Sequence, residues 1–460
     1  MQPATISALR SIVGRANCLT SPEECIAYSY DATAMMARQP EAIVFAEATE
    51  QIAGILKLAN AAGFKVVPRG SGTNLSGGTI PCDNCVVLVT VKMDKILELD
   101  PRNLTIRVQP GVVTAKVDEE AAKHGLFYAP DPGSLKVSTI GGNVAENSGG
   151  LRGLKYGVTR DYVLGLEVVL PTGEILRCGT KCMKDVAGYS LKDVFIGSEG
   201  TLGIIAEILL KLLPRPAAKR TLVATFSSMT DAADAVSEII AARIIPCTME
   251  FLDKTTLANV EAFAKIGLPA ADAFLMIETD GHPVVADEEI HKVETILRAH
   301  RPSELRLARD AHEAEQLATA RRAAFSALAR QWPTTILEDA TVPRSELTNL
   351  VAFIQQVAQK HHLRIGIFGH IGDGNLHPTF LCDERNAEEI ARVHEAFDEI
   401  FQKTIELGGT ITGEHGIGLA KKAFFAKSAG KTSLDVMRAL KRTLDPNNVL
   451  NPGKILDPAS

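Results

Sequence analysis

The chain has 460 residues, a length that predicts two or three domains rather than one hydrophobic core. Its 46% hydrophobic and 23% charged residues are typical of a globular protein and exclude a disordered or fibrous class. The formal charge is -6 and no basic block occurs, so we expect no nucleic-acid partner, because phosphate binding needs clustered positive charge.

Targeting and cysteine patterns favour the cytoplasm. The first residues hold no apolar run typical of a signal peptide, and no stretch of about 18 apolar residues predicts a transmembrane segment. The eight cysteines lack the spacing of a disulfide framework. We expect a cytoplasmic protein that reaches the inner membrane only through a partner. Cys82 and Cys85 form one CxxC without a nearby His, which favours a turn over a zinc or redox site.

The first half of the chain predicts helices and many strands. Thr49 is a candidate N-cap for a helix that stops at Gly63, and a short strand, 64–67, follows. After a glycine-rich loop, the segments CVVLVTV, TIRVQPGV and VLGLEVVL predict further strands, and a turn at 171–174 leads to another. This half is therefore α+β.

The second half of the chain has a different sequence pattern. The run Leu213-Pro214-Arg215-Pro216 marks a predicted domain boundary, after which helices and strands alternate. The charged, alanine-rich stretch 303–330 predicts a surface helix that ends at Pro333. The turn-rich segment 444–454 is too elaborate for a frayed terminus.

Three runs rich in glycine and small polar residues lie in the first half. They are PRGSGTNLSGG (68–78), PDPGSLKVSTIGGNVAENSGG (130–150) and GSEGTLGI (197–204). Glycine lets the backbone approach a ligand closely and aim N–H groups at an anion. The first run has neither the Rossmann nor the P-loop spacing. Three such segments in one domain predict a long, flat ligand that carries a polyphosphate.

These runs and the tail LDPNNVLNPGK (444–454) resemble the vanillyl-alcohol oxidase and p-cresol methylhydroxylase (PCMH) flavoprotein superfamily. The resemblance implies a two-part PCMH-type FAD-binding domain over 1–215, an α/β cap (substrate) domain over 216–415, and a C-terminal segment, 416–460, that returns to the flavin. It places the FAD diphosphate on the first run, the ribityl and isoalloxazine portions on the second, and Ile204 at the ring system. The implied FAD-binding residues are Pro68, Arg69, Gly70, Ser71, Gly72, Thr73, Asn74, Leu75, Pro132, Gly133, Ser138, Thr139, Gly141, Gly142, Asn143, Asn147, Gly149, Gly150, Glu199, Gly200, Gly203, Ile204 and Asn451.

A second constellation lies in the other half, at His370, His377, Glu414 and His415. Two His residues seven apart, with a GDGN turn between them, can converge from the two sides of a bend. A later Glu then completes a three-ligand site with an open coordination position. A lone His is more often a core or turn residue, but this concentration of His and Glu among glycines favours a metal site.

This block resembles the FAD-dependent D-2-hydroxy acid dehydrogenases, which include glycolate oxidase catalytic subunits and D-lactate dehydrogenases. The resemblance implies that His370, His377 and Glu414 bind zinc or manganese and that His415 is the catalytic base. Asp373 and Asn375 then support the turn. Arg321 falls where the family places the Arg that pairs with the substrate carboxylate. On the residues alone, an Arg on an alanine-rich helix is more often a solvated face.

The implied reaction is the oxidation of a small D-2-hydroxy acid, such as D-lactate or glycolate, to the 2-oxo acid. The metal holds the substrate, His415 takes the hydroxyl proton, and C2 passes hydride to flavin N5. No cluster-type cysteine run occurs, so we expect the electrons to pass to an iron-sulfur partner subunit, an electron-transfer flavoprotein, a cytochrome or a quinone. A homodimer is left open.

Three alternatives remain. A D-2-hydroxyglutarate dehydrogenase is disfavoured by Phe325, four residues after Arg321, because a second carboxylate buried against Phe without a partner is costly. It is also disfavoured by Pro378-Thr379, which resembles glycolate oxidase and D-lactate dehydrogenase chains; the 2-hydroxyglutarate enzymes have Asn at the second position. An ether-lipid synthase, a transferase that uses FAD without net oxidation, is expected to carry a long N-terminal extension. A non-catalytic FAD-holding subunit is disfavoured by the intact set of His and Glu residues.

The first glycine-rich run predicts FAD that is not covalently attached. Covalent members of the superfamily carry a His in this run; here that position is Thr73, and no His lies between residues 1 and 123. We expect acid or heat precipitation of the yellow protein to release its FAD, measured as flavin absorbance in the supernatant. Yellow colour that stays in the washed pellet would contradict the prediction.

Overall fold

The computed structural model describes residues 1–457, and the predicted α+β class is confirmed. Within this range no helix combines the length and apolar character needed to cross a bilayer. The α-helices are α1 (Pro3–Val13), α2 (Pro22–Ile26), α3 (Thr49–Ala62), α4 (Thr114–Ala122), α5 (Ile140–Glu146), α6 (Gly153–Tyr156), α7 (Lys192–Phe195), α8 (Met229–Ala241), α9 (Lys254–Ala264), α10 (Pro283–Ala299), α11 (Ala311–Arg322), α12 (Ala324–Ala329), α13 (Leu347–Lys360), α14 (Ala387–Glu406), α15 (Lys422–Ser428) and α16 (Lys431–Leu444).

The strands gather into three larger sheets and one short pair. In chain order they are β1 (Cys18–Leu19), β2 (Ala42–Phe45), β3 (Lys65–Arg69), β4 (Cys85–Val89), β5 (Ile96–Asp100), β6 (Thr105–Val108), β7 (Leu126–Phe127), β8 (Val163–Val169), β9 (Ile175–Gly179), β10 (Ile204–Lys211), β11 (Leu213–Pro214), β12 (Ala218–Phe226), β13 (Thr248–Asp253), β14 (Ala273–Gly281), β15 (Glu304–Leu307), β16 (Thr334–Leu337), β17 (Ala340–Thr341), β18 (Arg364–His370) and β19 (Asn375–Cys382).

Two sheets carry the first half. The order of the first is β1-β2-β4-β3, and β2, β4 and β3 run parallel. The predicted strands before and after the first glycine-rich run are therefore the neighbours β3 and β4. The second sheet is antiparallel, in the order β5-β6-β10-β8-β9. Each sheet forms part of a buried apolar core. The first glycine-rich run follows β3 of the first sheet, and the third leads into β10 of the second.

Helix α3 departs by one residue from the sequence expectation. Ala48 is the N-cap and Thr49 is the first helical residue, so the predicted cap was wrong. The Thr49 hydroxyl instead donates to Glu167 on β8 at 2.7 Å, which ties the first sheet's helix to the second sheet. The predicted stop is confirmed, because Gly63 takes the left-handed conformation that glycine adopts without strain.

The second half forms one antiparallel sheet in the order β15-β12-β14-β13-β18-β19-β16, with β17 also paired to β19. Helices α8, α10 and α13 pack on it around one core cluster, and α9, α11 and α12 contribute to another. Strands β12, β13 and β14 are almost wholly buried. The hairpin of β18 and β19 therefore stands on a rigid support.

The prediction of one surface helix over 303–330 was wrong. The stretch begins with strand β15 and continues as two helices, α11 and α12, that bury Leu317, Ala320 and Arg321. Two of the charged residues are themselves buried, and each is paired: Glu313 with Arg306, and Arg321 with Glu250. The small alanine side chains pack against the sheet, which periodicity alone did not reveal.

The C-terminal segment adds to the edge of the first sheet. Val66 on β3 donates to the carbonyl of Val449 at 2.9 Å, and Asn451 donates to the carbonyl of Val66 at 2.8 Å. Asp445 stabilises this turn, because its carboxylate accepts the amides of Val449 and Leu450. The segment thus lies against the strand that leads into the first glycine-rich run. The predicted domain limits at 215 and 415 remain predictions.

Candidate functional site

One cavity of about 790 Å³ holds both constellations that the sequence predicted. The three glycine-rich runs line one part of it, and Arg321 with the His and Glu residues lines another. A volume of this size lies within the range of roughly 300–1,000 Å³ for ligand pockets. The structure therefore brings the predicted cofactor and substrate residues to a shared space.

Most of the implied FAD-binding residues line this cavity. They are Pro68, Arg69, Gly70, Ser71, Gly72, Thr73, Asn74, Leu75, Pro132, Gly133, Ser138, Thr139, Gly141, Gly142, Asn143, Glu199, Gly200, Gly203 and Ile204. The other four are not among the lining residues and lie around it. Asn147 ends α5 and Asn451 donates to the carbonyls of Gly78 and Glu199, so both act as supports. Gly149 packs against Glu414, and Gly150 against the backbone of Asp131.

The first run is anchored by residues that the sequence did not single out. Asp31 accepts hydrogen bonds from the side chains of Asn74 and Thr79. The guanidinium of Arg69 donates to the carbonyl of Tyr30 and occupies the space that a Cβ on Gly72 would need. Gly72 also has a φ of 74°, so this position favours glycine on both grounds. The run is held open toward the cavity.

The backbone around the cavity suits an anionic cofactor. Glycines in all three runs face it, and a Cβ on Gly133 would enter open space. Small hydroxyl and amide side chains, such as Ser71, Ser138 and Asn143, supply further donors. The residues present fit FAD, with the glycines giving close approach to its phosphates.

The hairpin of β18 and β19 positions the two predicted His ligands. His370 is the last residue of β18, a short turn over 371–373 follows, and His377 is the third residue of β19. Gly374 completes the turn with a φ of 88°, and a Cβ there would meet the carbonyl of Val342 at 2.1 Å. The two imidazoles therefore converge from the sides of the bend, with ring centroids 5.4 Å apart.

Glu414 lies between the imidazoles. Its Oε1 is 3.3 Å from Nε2 of His370, 3.4 Å from Nε2 of His377 and 3.5 Å from Nε2 of His415. Charge-assisted hydrogen bonds are shorter, about 2.7–2.9 Å. Donor atoms around a tetrahedral zinc, with bonds of about 2.0–2.2 Å, lie roughly 3.3–3.6 Å apart. The donor set of His370, His377 and Glu414 fits a divalent metal in chemistry and spacing.

Asp339 is fully buried beside this group and was missed by the sequence reasoning. Its carboxylate accepts the side chains of Asn375 and Thr412 and three successive backbone amides, those of Gly413, Glu414 and His415. Four of these five donors bond Oδ2 and only Asn375 bonds Oδ1, so Asp339 positions the loop mainly through Oδ2. Although burial opposes its charge, neighbouring His415, Lys421 and His377 hold the pKa of Asp339 below its usual value.

Glu250 on β13 was also missed, and it connects His370 to Arg321. Its Oε1 is 2.6 Å from Nδ1 of His370, and its Oε2 is 2.5 Å from Nη2 of Arg321. Arg321 is buried and lies 5.0 Å above the ring of Phe368. Its Nε and Nη2 have no hydrogen-bond acceptor in good geometry. A buried guanidinium that is paired with Glu250 therefore lines the cavity.

Burial sets the protonation of the second His. Burial lowers the pKa of His377 to about 4, so its imidazole is neutral at pH 7 and keeps a lone pair for a cation. Burial also opposes charge on His370, but Glu250 and Glu414 outweigh it and raise the pKa of that imidazole. Asn375 and Asp373, which were predicted to support the turn, differ in their environment. Asn375 donates a hydrogen bond to Asp339, and burial raises the pKa of Asp373 to about 7.

The CxxC is a turn, as predicted, with the amide of Cys82 donating to Sγ of Cys85 at 3.3 Å. Among residues 1–457, the His, Cys, Asp and Glu groups close enough to share a metal are the two built around His377. The CxxC is not part of either group.

Comparison with known proteins defines the class. Residues 40–179 match a family described as FAD binding domain, and residues 215–455 match one described as FAD linked oxidases, C-terminal domain. Together with the glycine-lined cavity, these matches make the protein an FAD-dependent oxidoreductase.

Curated relatives define the family. The chain is 53% identical over 431 residues to glycolate oxidase subunit GlcD of Bacillus subtilis, covering 94% of this chain and 92% of that one. It is 38% identical over 452 residues to the subunit of that name from Escherichia coli, covering 98% and 90%. It is 36% identical over 442 residues to D-lactate dehydrogenase of Anaerostipes hadrus, covering 93% and 92%. The chain belongs to the FAD linked oxidase family, of the glycolate oxidase and D-lactate dehydrogenase type.

Solved structures confirm the PCMH-type fold. Substrate-bound p-cresol methylhydroxylase superposes with a TM-score of 0.83 at 18% identity, covering 99% of this chain and 96% of that one. Alkyldihydroxyacetonephosphate synthase superposes with a TM-score of 0.77 at 21% identity, covering 99% and 86%. At these identities the likeness concerns the fold alone.

Asp339→Asn should loosen the loop that carries Glu414. An amide presents N–H groups where one carboxylate oxygen accepts and carries no charge, so at least one of the five donors loses its partner, at a cost of about 1–3 kcal/mol. We expect hydrogen exchange of the amides at 412–416 to accelerate about tenfold or more, measured by mass spectrometry. Asp383→Asn, the same change at a partly exposed Asp on β19's far side, serves as the control. Unchanged exchange at 412–416 would contradict this role.

Proposed function

We propose that the protein oxidises a small D-2-hydroxy monocarboxylate, such as D-lactate or glycolate, to the 2-oxo acid. One observation carries the proposal: Arg321 and the cluster of His370, His377, Glu414 and His415 share a cavity with the three glycine-rich runs. A carboxylate-binding group, a base and a cofactor cradle in one space are what this reaction requires.

Arg321 binds the substrate carboxylate in this proposal. A guanidinium offers planar paired donors to a carboxylate, and the guanidinium of Arg321 lines the cavity while Glu250 holds its Nη2. Glu250 fixes the guanidinium from behind and, through its other oxygen, fixes His370. The carboxylate and the hydroxyl of one small acid are thereby positioned by connected side chains.

His415 takes the proton from the substrate hydroxyl. Its ring stacks on His377 at a centroid distance of 4.8 Å, and its Nδ1 lies 3.9 Å from Oδ2 of Asp339. The negative Asp339 stabilises the imidazolium that forms when Nε2 accepts a proton. His415 is thus oriented for general-base catalysis.

His370, His377 and Glu414 are the proposed metal ligands, with zinc or manganese as the ion. When bound, such an ion acts as a Lewis acid that lowers the pKa of a coordinated hydroxyl. When bound, FAD accepts a hydride from the substrate carbon. FAD is proposed to be non-covalent, since Thr73 replaces the His of covalent relatives. The cavity holds both groups near Arg321 and His415.

The walls near Arg321 favour a small monocarboxylate. Phe325, Leu337 and Phe368 line the cavity there. Arg322 also lines it, but its Nη2 already pairs with the buried Asp131 at 2.9 Å, so its charge is neutralised. Thr379, which the sequence reasoning used, is buried away from the cavity and donates to the carbonyl of His377. The proposed preference for a monocarboxylate therefore depends on the apolar wall formed by Phe325, Leu337 and Phe368.

The electrons require a partner acceptor. The eight cysteines are free and dispersed, without the run that ligates an iron-sulfur cluster. Two of the relatives are named as subunits of glycolate oxidase. We propose that this chain likewise passes electrons to a partner, either an iron-sulfur subunit, an electron-transfer flavoprotein, a cytochrome or a quinone, in the cytoplasm or at the inner membrane.

A substrate panel with one artificial electron acceptor tests the proposal. We expect kcat/KM for D-lactate or glycolate to exceed that for D-2-hydroxyglutarate by about tenfold or more, because a second carboxylate against Phe325 has no free cation. Anaerobic bleaching of the flavin by the preferred acid distinguishes a dehydrogenase from an FAD-using transferase or a non-catalytic subunit. A higher value for D-2-hydroxyglutarate would overturn the monocarboxylate assignment.

His415→Ala should lower turnover by about 10²–10⁴, the range expected for loss of a general base. FAD content should stay near wild type, because His415 lies outside the glycine-rich runs. His394→Ala, at an exposed position of α14, is the matched control and should retain activity. A wild-type rate in the His415 variant would assign the base to another residue.

Metal removal should abolish most turnover while FAD stays bound, since the proposed ligands and the glycine-rich runs are separate parts of the cavity wall. Chelator treatment and His377→Ala should have similar effects, and readdition of zinc or manganese should restore only the chelated wild type. Elemental analysis and flavin absorbance provide the measurements. Full activity in protein shown to be metal-free would refute the metal role.

A further inference from the structure

Glu146 is a buried ionisable residue that the proposed reaction does not use. It is the last residue of α5 and lines the cofactor part of the cavity with Asn74 and Gly78. Its Oε2 is inaccessible to solvent and has no hydrogen-bond partner within the described part of the chain. Such an atom is costly unless a ligand or a proton satisfies it.

A second buried carboxylate faces Glu146. Oε2 of Glu146 and Oε1 of Glu199 lie 2.5 and 2.9 Å from the point where a Cβ on Gly416 would stand. Both oxygens thus border the same small space, and like charges that close in a buried site disfavour ionisation of both carboxylates. One proton must therefore reside on the pair.

The surroundings assign that proton to Glu146. Glu199 accepts the amides of Ile417 and Gly418, each at 2.7 Å, and these donors stabilise its charged form. Burial raises the pKa of Glu199 above its usual value, and these two amides with Lys421 and Lys454 oppose that rise. Glu146 has no comparable donors, and burial, Glu199 and Asp31 all raise its pKa well above the ordinary value. Glu146 is the neutral member of the pair.

We propose that Glu146 is a protonated side chain that donates a hydrogen bond to bound FAD and raises the flavin's reduction potential. Because Oε2 is inaccessible, the O–H that faces FAD is on Oε1, the oxygen beside Gly78, and FAD offers carbonyl and ring-nitrogen acceptors to satisfy it. A donor toward these atoms stabilises the electron-rich reduced form, so the protein tunes the cofactor through this contact. This contact acts on the cofactor, whichever acid is the substrate.

The reduction potential of enzyme-bound FAD gives the test, measured by titration with dithionite and a reference dye, which needs no substrate. Glu146→Gln keeps a neutral donor of the same shape, and Glu146→Leu removes the donor. We expect the leucine variant to shift to a lower potential and the glutamine variant to remain near wild type, with equal FAD content. Glu119→Leu, at an exposed position of α4, should leave the potential unchanged.

Two results would overturn the proposal. A higher potential in Glu146→Gln would mean that the wild-type side chain is ionised, because the substitution then removes a negative charge beside the flavin. Wild-type potentials in both variants would mean that Glu146 does not contact the cofactor. If Glu146→Leu does not retain FAD, the infrared spectrum decides: a protonated-carboxyl band that disappears in Glu146→Gln supports the proposal, and its absence from wild type overturns it.

Discussion

The buried carboxylate of Asp339 is the interaction on which the site depends. It joins the hairpin of β18 and β19, through Asn375, to the loop that carries Glu414 and His415. Three successive, partly buried amides of that loop would otherwise lack this acceptor, which is a cost for a segment with no strand pairing of its own. One negative charge thus fixes where residues distant in sequence meet.

Glu199, in the third glycine-rich run, holds the other end of the same loop. It accepts the amides of Ile417 and Gly418, while the carbonyl of the same residue accepts the side chain of Asn451. The loop 413–418 is therefore held by the large antiparallel sheet at one end and by the glycine-rich third run at the other. Catalytic groups supported in this way keep their geometry, because their own rotamers are restricted by the partners behind them.

Paired charges explain how a chain with a net charge of -6 can recognise an anion. The charges that line a cavity affect a ligand more than the net charge of the chain does, since salt and water screen distant charges. Glu250 neutralises part of Arg321 and orients it, and Asp131 does the same for Arg322. In the proposed reaction Arg321, oriented by Glu250, takes the substrate carboxylate, whereas Arg322 is already engaged by Asp131 and Glu315.

The sequence by itself determined the parts of the protein whose chemistry is local. Glycine-rich runs indicate close backbone approach wherever they occur, and the spacing of His370 and His377 across a GDGN turn already predicts a bend that brings them together. The α+β class and most strand positions followed from the same short-range patterns. The family resemblance then supplied roles for Arg321, Glu414 and His415.

Only the tertiary structure decided which distant residues complete the site. Glu250 is 120 positions from His370, and Asp339 is 76 positions from His415. Nothing in the neighbourhood of either acidic residue distinguishes it from a solvated one. The sequence also did not predict that Arg321, on an alanine-rich helix, is buried or that Glu146 lies opposite Glu199. Long-range burial creates these pairs, because a buried charge must find a partner that local sequence does not contain.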